Sequence, residues 1–270
     1  MNIIVCLKPV PDPGHWDKIA LDPKTRTLRR EGIPSVLGPL DKRALEAALQ
    51  LKEAHGGRIS VVSMAPPSAA DTLREALAMG ADAAALLSDI AFTGADTLAT
   101  AYVLACGIRK LGEFDLVLCG NRSLDGSTGH VALQLAEILG VPGIVRAISL
   151  EMSGERKLRA RTKQEGGTAL LEARLPAVVA VEKEINEPRF VTLMGIVEAR
   201  GREVKVWKAA DLGADCACCG TAGSPTCTAG VFMPEQKRRR EMLTGEPSEV
   251  ARALVERLKA LGAFSEAGRG

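Results

Sequence analysis

Aromatic residues and histidines are scarce in this chain of 270 residues. Aromatic side chains make up 3% of it, and it contains 3 histidines. Proteins that bind single-stranded nucleic acid stack the bases on aromatic side chains, and most carry a strongly basic surface. The formal net charge here is only +2. We therefore expect no nucleic-acid partner.

Long apolar runs and a leader segment are also missing from the sequence. No apolar stretch reaches the roughly 18 residues that a membrane-spanning helix requires, so we expect no transmembrane segment. The chain begins with an apolar, strand-like run, Asn2–Leu7, without a basic leader. The cysteines number 7, and an odd number suits a reducing compartment better than a disulfide framework. These features together predict a cytoplasmic protein.

The motifs of common hydrolases are absent too. The sequence has no Gly-x-Ser-x-Gly elbow, no His-Glu-x-x-His pair and no Gly-Lys-Ser/Thr of a P-loop. The only candidate metal cluster is Cys216, Cys218 and Cys219, with Cys227 further on. Adjacent cysteines rarely chelate one ion well, so we expect loop thiols and no metal site.

A regular alternation of strands and helices fills the first 145 or so residues. Apolar runs predict strands over Asn2–Leu7, Arg58–Met64, Ala84–Leu87 and Asp115–Gly120. Helical spacing of apolar residues predicts helices over Pro39–Ala54, Ser68–Met79, Asp96–Leu111 and Val131–Leu139. Such alternation predicts a parallel sheet with helices on both faces, in which ligands bind beyond the carboxyl ends of the strands.

The pattern changes after Pro142. Four short strands, within 144–150, 157–162, 169–175 and 177–182, are separated by turn glycines and predict a small antiparallel extension. The segment from Asn186 to about Pro234 is predicted to be poor in helix. A final helix, Ser248 to Leu261, carries an apolar face and predicts a C-terminal arm that docks on another surface.

The loop after the fourth strand, Asn121–Gly129, is the strongest functional signal. Its glycines allow backbone N–H groups to approach a ligand, and the helix that follows offers unpaired donors and the positive end of its dipole. Ser127 and Thr128 could donate hydroxyls to phosphate oxygens. The loop therefore predicts a site for a phosphorylated ligand. The alternative is that Gly126 and Gly129 merely turn the chain while Ser127 caps the helix.

Several segments, taken together, resemble one known family. They are Val5–Asp12, Leu73–Asp82, Asp115–Gly129 with Ala136–Leu139, Leu175–Ala180 and Ile185–Phe190. In this order they resemble the beta subunit of electron transfer flavoprotein. The resemblance implies an adenine-nucleotide alpha-hydrolase-like fold. It also implies a heterodimer whose alpha subunit holds an electron-carrying FAD.

The resemblance further implies two sets of binding residues. Those matching the family's nucleotide site are Cys6, Gly38, Pro39, Asp41, Met64, Leu124, Asp125, Gly126, Ser127, Thr128, Gly129, His130, Val131 and Gln134. A dehydrogenase-recognition loop is implied at about 181–203, with Asn186, Glu187, Pro188, Arg189 and the apolar anchor Leu193. We accordingly expect an α/β nucleotide-binding domain over 1–234 and an arm over 235–270 that packs on the partner subunit.

Two kinds of family member would use this site differently. Leu86–Thr100 and Asp125–Thr128 resemble the bifurcating group, in which the beta subunit binds FAD, NADH is the electron donor and the electrons are split between two acceptors. The implied acceptors are an acyl-CoA dehydrogenase-like or other flavoprotein, and a ferredoxin or flavodoxin. The alternatives are a housekeeping carrier with structural AMP and, more remotely, a universal-stress-type nucleotide-binding module. We expect an electron-transfer subunit, with any NADH oxidation a property of the heterodimer.

Overall fold

The computed structural model describes residues 1–18, 20–21, 28–29, 32–227, 229–230 and 241–264. The chain divides into two compact units, Met1–Val231 and Phe232–Gly270. Parts of the predicted arm, residues 235–240 and 265–270, lie outside the described residues.

The first unit contains all the described strands and six α-helices. The strands are β1 (Asn2–Cys6), β2 (Pro9–Pro11), β3 (Ala20–Leu21), β4 (Leu28–Arg29), β5 (Ser35–Leu37), β6 (Arg58–Met64), β7 (Ala83–Leu87), β8 (Leu116–Gly120), β9 (Gly143–Gly154), β10 (Lys157–Gln164), β11 (Gly167–Arg174), β12 (Ala177–Val181) and β13 (Val204–Trp207). The helices are α1 (Pro39–His55), α2 (Ala70–Met79), α3 (Thr97–Leu111), α4 (Val131–Leu139), α5 (Leu193–Arg200) and α6 (Ala209–Leu212).

Nine strands form one mixed sheet in the order β11-β10-β9-β12-β8-β1-β6-β7-β13. Neighbours from β9 to β13 along this order run parallel, whereas β9, β10 and β11 pair antiparallel. Two short antiparallel pairs, β2 with β5 and β3 with β4, lie outside this sheet. The α/β fold predicted from the alternation is confirmed.

The central strands are apolar on both faces because the sheet separates two cores. Ile3, Val5 and Val61 point into the core beneath α1 and α2. Ile4, Val62 and Val117 point into the other core, beneath α3 and α4. Successive side chains of a strand alternate between faces, so a continuous apolar run is required where both faces are covered by helices.

One prediction about the second half of the first unit was wrong. The predicted fourth strand of the antiparallel extension, β12, instead runs parallel between β8 and β9. All five of its residues are buried, which only a central strand with cover on both faces provides. The segment after Asn186, predicted to be poor in helix, contains two short α-helices in its described part, α5 and α6, and the strand β13, which was not predicted.

The second unit contains one described helix, α7 (Pro247–Ala260). Pro247 occupies the first turn, where a missing N–H costs nothing, and Arg257 pairs with Glu241. None of its residues is buried, and the apolar side chains of Leu254 and Val255 are exposed. No helix in the described part of the chain is long and apolar enough to span a membrane.

Candidate functional site

The carboxyl ends of β1 and β8 meet the first turn of α1 at Asp41. Its carboxylate accepts the backbone N–H of Lys8 at 2.7 Å and that of Gly120 at 3.0 Å. Lys8 follows β1, and Gly120 ends β8. Asp41 therefore ties the start of α1 to two neighbouring strands, at the edge of the sheet where the resemblance implied a nucleotide site.

Asp41 is a buried carboxyl group. Burial raises its pKa to about 7, against the lowering effect of the two backbone hydrogen bonds and of the Lys8 charge. The site therefore contains a group that changes its charge near neutral pH.

Two glycines leave room for this carboxylate. A Cβ on Gly120 would lie 2.5 Å from Asp41 Oδ1, and a Cβ on Gly38 would lie 2.9 Å from Asp41 Oδ2. Both distances are shorter than carbon and oxygen atoms allow, so any larger residue would displace the carboxylate. Gly38, which the resemblance assigned to nucleotide binding, has this packing role as well.

The loop after β8 is fixed to β1 by an ion pair. Lys8 Nζ lies 2.7 Å from Asp125 Oδ1 and 3.4 Å from Ser123 Oγ. Although partial burial opposes it, the hydrogen bond and charge of Lys8 hold the pKa of Asp125 below its usual value. Lys8 was not among the residues assigned to the site, although its position directly after a strand was a usable signal. The pair neutralises the one carboxylate that lies within the loop's glycine-rich part.

The N-terminus of α4 carries no side-chain cap. The helix begins at Val131 with His130 at the N-cap, and no side chain there accepts its first N–H groups. Ser127 has a positive φ of 48° and donates its hydroxyl to the Ser123 carbonyl at 3.1 Å. The alternative in which Ser127 caps the helix is therefore wrong. The His130 side chain at the N-cap position is itself exposed to solvent.

The two loop glycines differ in their backbone conformation. Gly129 has a φ of 71°, which glycine adopts at little cost and which turns the chain into α4. Gly126 is not among the residues with positive φ. Only one of the two glycines is therefore explained by the turn.

Gln134 contributes a buried polar atom in this region. Its backbone N–H bonds to the His130 carbonyl at 3.1 Å, so the residue belongs to the second turn of α4. Its side-chain Oε1 is buried and finds no donor among the described residues. A buried acceptor without a partner is costly, so the Gln134 oxygen is suited to a donor supplied by a ligand.

Cys6 and Met64 lie at the ends of neighbouring strands. Cys6 is in register with Cys119, and both side chains are buried in the core beneath α3 and α4. The hydrogen bond with Cys6 and burial raise the pKa of the Cys119 thiol. Met64 ends β6 and packs against the same core. Cys6 and Met64 thus lie at the carboxyl ends of two neighbouring strands, and Cys6 is also beside β8, which the 121–129 loop follows.

The predicted recognition loop is held against α1 by polar contacts. Asn186 Nδ2 donates to the Arg43 carbonyl at 3.0 Å, and Arg43 pairs with Glu187 at 3.1 Å. Arg189 binds the buried Glu46 through Nε at 2.8 Å and reaches Glu53 at 2.6 Å. Arg189 is therefore committed to an intramolecular ion pair. Sequence reasoning did not identify this pair, because its members are 143 residues apart in the sequence.

An apolar surface follows the residues that bind α1, and we call it the 190–197 surface. Phe190 is 97% exposed, Leu193 84%, Met194 67% and Val197 62%. α5 rests directly on α2, since a Cβ on Gly195 would lie 2.3 Å from the Ala78 carbonyl oxygen. Leu193 therefore lies on a helix whose position is fixed by its packing on α2. The residues predicted for this site did not include Phe190 and Met194. Val191, between Phe190 and Leu193, is partly buried and packs against the core, so it does not belong to this surface.

No group of three or more His, Cys, Asp or Glu residues in the described part of the chain is arranged to hold a metal ion. The clustered cysteines at 216–219 lie in a short turn that is described below.

Comparisons with known proteins agree over most of the chain. The profile of the electron transfer flavoprotein domain family matches residues 25–212. Electron transfer flavoprotein subunit beta of Clostridium acetobutylicum is 43% identical over 259 residues, which cover 96% of this chain and 98% of that protein. Caffeyl-CoA reductase-Etf complex subunit CarD of Acetobacterium woodii is 42% identical over 261 residues, covering 96% and 98%. Protein FixA of Azorhizobium caulinodans is 40% identical over 248 residues, covering 89% and 87%.

Proposed function

Because this chain belongs to the electron transfer flavoprotein family, as a beta subunit, we propose that it binds FAD at the 121–134 region and serves a bifurcating heterodimer. The family's role is electron transfer. For this chain we propose more specifically that NADH is the electron donor and that its electrons are split between two acceptors. The observation that carries the proposal is the uncapped N-terminus of α4 beside a glycine-rich loop.

The residues present fit a dinucleotide at this place. The open N-terminus of α4 and the N–H groups of the loop suit a pyrophosphate, because helix N-termini bind anions through unpaired donors and the dipole. The hydroxyl of Thr128 would add a further donor. The buried Gln134 Oε1, which lacks a donor among the described residues, would accept a hydrogen bond from the ligand. Asp41 and Lys8 would hold α1 and the loop in position.

A bound FAD would supply hydride and electron transfer chemistry, and the protein would supply position and electrostatics. The chain's own part is to fix the pyrophosphate so that the ring is held at a defined place. Lys8 neutralises Asp125 at 2.7 Å, so the loop presents no unpaired carboxylate there to phosphate oxygens. The ion pair therefore favours an anionic ligand at the loop.

The partners we propose are an alpha subunit and a flavoprotein acceptor. α7 presents exposed apolar side chains, which suit the alpha subunit, and the 190–197 surface suits a transient dehydrogenase partner. One relative is named as a subunit of a caffeyl-CoA reductase complex, which favours an acyl-CoA dehydrogenase-like acceptor, with a ferredoxin or flavodoxin as the second. The seven unpaired cysteines favour a cytoplasmic location.

Replacing Thr128 by Val tests the assigned ligand contact. Loss of one hydrogen bond to a charged group costs about 1.5–3 kcal/mol, so we expect FAD affinity of the complex with the alpha subunit to fall about tenfold or more. Titration of the flavin-depleted complex with FAD, and in parallel with AMP, measures this effect.

The control is Thr168→Val, at an exposed threonine on β11. It should leave affinity for both nucleotides unchanged. Equal affinity for FAD in Thr128→Val and the unmodified complex would remove the 126–129 loop from the proposed site. A wild-type complex that binds AMP and excludes FAD would instead favour the housekeeping carrier.

A further inference from the structure

The cysteine-rich segment forms a closed turn, which we call the cysteine turn (residues 215–219). The Asp215 carboxylate accepts the Ala217 N–H at 2.9 Å, and the Cys218 N–H donates to the Asp215 carbonyl at 2.9 Å. The Cys219 N–H donates to the Cys216 carbonyl at 3.2 Å. Cys216 and Cys219 thus occupy the two ends of a hydrogen-bonded turn, with a C-x-x-C spacing.

The two end cysteines differ sharply in exposure. Cys216 is exposed, whereas Cys219 is 1% exposed and its Sγ donates to the Asp215 carbonyl at 3.3 Å. An oxidant in solution can therefore reach Cys216 directly. The Cys219 side chain is shielded from solvent, in the core beneath α3 and α4.

The cysteine turn is anchored to α3 and to the segment before it. The Asp215 N–H donates to the Tyr102 hydroxyl at 2.9 Å, and the Thr221 N–H donates to the Thr93 carbonyl at 3.1 Å. The backbone of Gly223 packs directly against the turn, because a Cβ on this residue would lie 2.1 Å from the Cys218 carbonyl carbon. The relative positions of Cys216 and Cys219 are therefore set by the fold.

We propose that Cys216 and Cys219 are a reversible dithiol–disulfide site that reacts with low-molecular-weight disulfides. A turn closed by a hydrogen bond from residue i+3 to residue i brings the two Cα atoms within about 7 Å. Protein disulfides span Cα separations of about 4.4–6.8 Å, so the Cα separation of the turn is compatible with a disulfide.

The reaction proceeds in two exchange steps. The Cys216 thiolate attacks one sulfur of the small disulfide, forms a mixed disulfide and releases one thiolate. Cys219 then attacks the Cys216 sulfur, which closes the protein disulfide and releases the second thiolate. The protons lost by the two protein thiols pass to the two released thiolates. Two electrons thus move from the cysteine pair to the small disulfide.

The order of the steps follows from the surroundings of the two thiols. Burial, with the neighbouring Cys216, Cys106 and Cys218, raises the pKa of the Cys219 thiol to about 11. Cys219 is therefore protonated at neutral pH and protected from solution, so it reacts second. This site makes no use of the nucleotide region and does not depend on the function proposed above.

Treatment of the full chain with oxidised glutathione tests the proposal. After treatment, unfolding and alkylation, we expect peptide mass mapping to show Cys216 joined to Cys219 by a disulfide, with neither thiol alkylated. Dithiothreitol should restore both thiols. A disulfide between any other pair, or a glutathionylated Cys216 without a protein disulfide, would overturn the proposal.

Three variants separate the roles of the cysteines. Cys219→Ser should stop the reaction at a mixed disulfide on Cys216, and Cys216→Ser should abolish both the mixed disulfide at position 216 and the disulfide to Cys219. Cys227→Ser removes an exposed cysteine outside the turn and should form the Cys216–Cys219 disulfide as the unmodified chain does. Glutathionylation of Cys219 in Cys216→Ser would contradict the assigned protection of the buried thiol.

Discussion

The described contacts of the chain do not require a glycine at position 126. Its backbone does not adopt a positive φ, and a Cβ would meet only Ser123 Oγ at 3.4 Å and Lys8 Nζ at 3.9 Å. Both are ordinary van der Waals contacts. The free chain would therefore tolerate alanine, whereas a ligand lying close to this backbone would not.

Gly126→Ala should separate folding from nucleotide binding. We expect the midpoint of urea unfolding of the nucleotide-free chain to stay the same, and FAD affinity to fall about tenfold because the methyl group disturbs hydrogen bonds to the pyrophosphate. Gly167→Ala, on a hairpin glycine with no atom near its Cβ position, is the matched control. Unchanged affinity in Gly126→Ala would show that no ligand approaches this backbone.

Asp41 predicts a definite pH dependence of stability. Since its pKa in the folded chain is about 7 and its ordinary value is 3.8, folding favours the protonated form. Its contribution to the free energy of unfolding is fully present below about pH 4. The contribution is lost as pH rises towards 7, by an amount of at most about 4 kcal/mol.

Asp41→Asn should remove this dependence. We expect the variant to be less stable at low pH, because an amide cannot accept both the Lys8 and Gly120 N–H groups. The difference between wild type and variant should shrink as pH rises from 4 to 7. Urea unfolding across this range measures the difference, and a constant value would contradict the assigned pKa.

At the scale of secondary-structure elements, α5 is the helix whose exposed apolar face is best suited to bind a partner. Thr192 caps the helix by accepting the Gly195 N–H at 3.0 Å, and Gly195 lets α5 rest on α2. The face that remains carries Leu193 and Met194 to solvent. Docking surfaces gain affinity from a few central apolar side chains, so this helix is suited to a transient partner.

Leu193→Ala should slow electron transfer to the dehydrogenase partner. Because Leu193 is 84% exposed, we expect no loss of stability or of bound flavin, and a rate reduced about tenfold at limiting partner concentration. Stopped-flow measurement of electron transfer between the two proteins gives this rate. Leu170→Ala, an exposed leucine on β11, should leave it unchanged, and an equal rate in Leu193→Ala would exclude Leu193 from the docking site.

Elements with a strong pattern could be predicted from the sequence, and others could not. Continuous apolar runs such as Ile3–Cys6 predicted strands, and these strands do lie between two cores. Helical spacing placed α3 to within a residue of its observed start, which Asp96 caps. α5 was missed because most of its apolar side chains face solvent, which removes helical periodicity. The direction of β12 could not be predicted, since an apolar run is the same in both directions.

At the scale of the whole molecule, the sheet places distant parts of the sequence at one edge. The loop glycines and the start of α1 could be assigned to a site through the resemblance. The contacts that fix them, Lys8 with Asp125 and Asp41 with Gly120, join residues that are far apart in sequence. Such pairs depend on strand order, so only the structure identifies them.

The nucleotide content of the complex with the alpha subunit tests the central claim most directly. The purified complex is denatured, and FAD and AMP in the supernatant are separated and quantified against protein. The account predicts two FAD per heterodimer, no AMP, and bleaching of flavin absorbance when NADH is added. One FAD with one AMP, in a complex that NADH leaves oxidised, would contradict it.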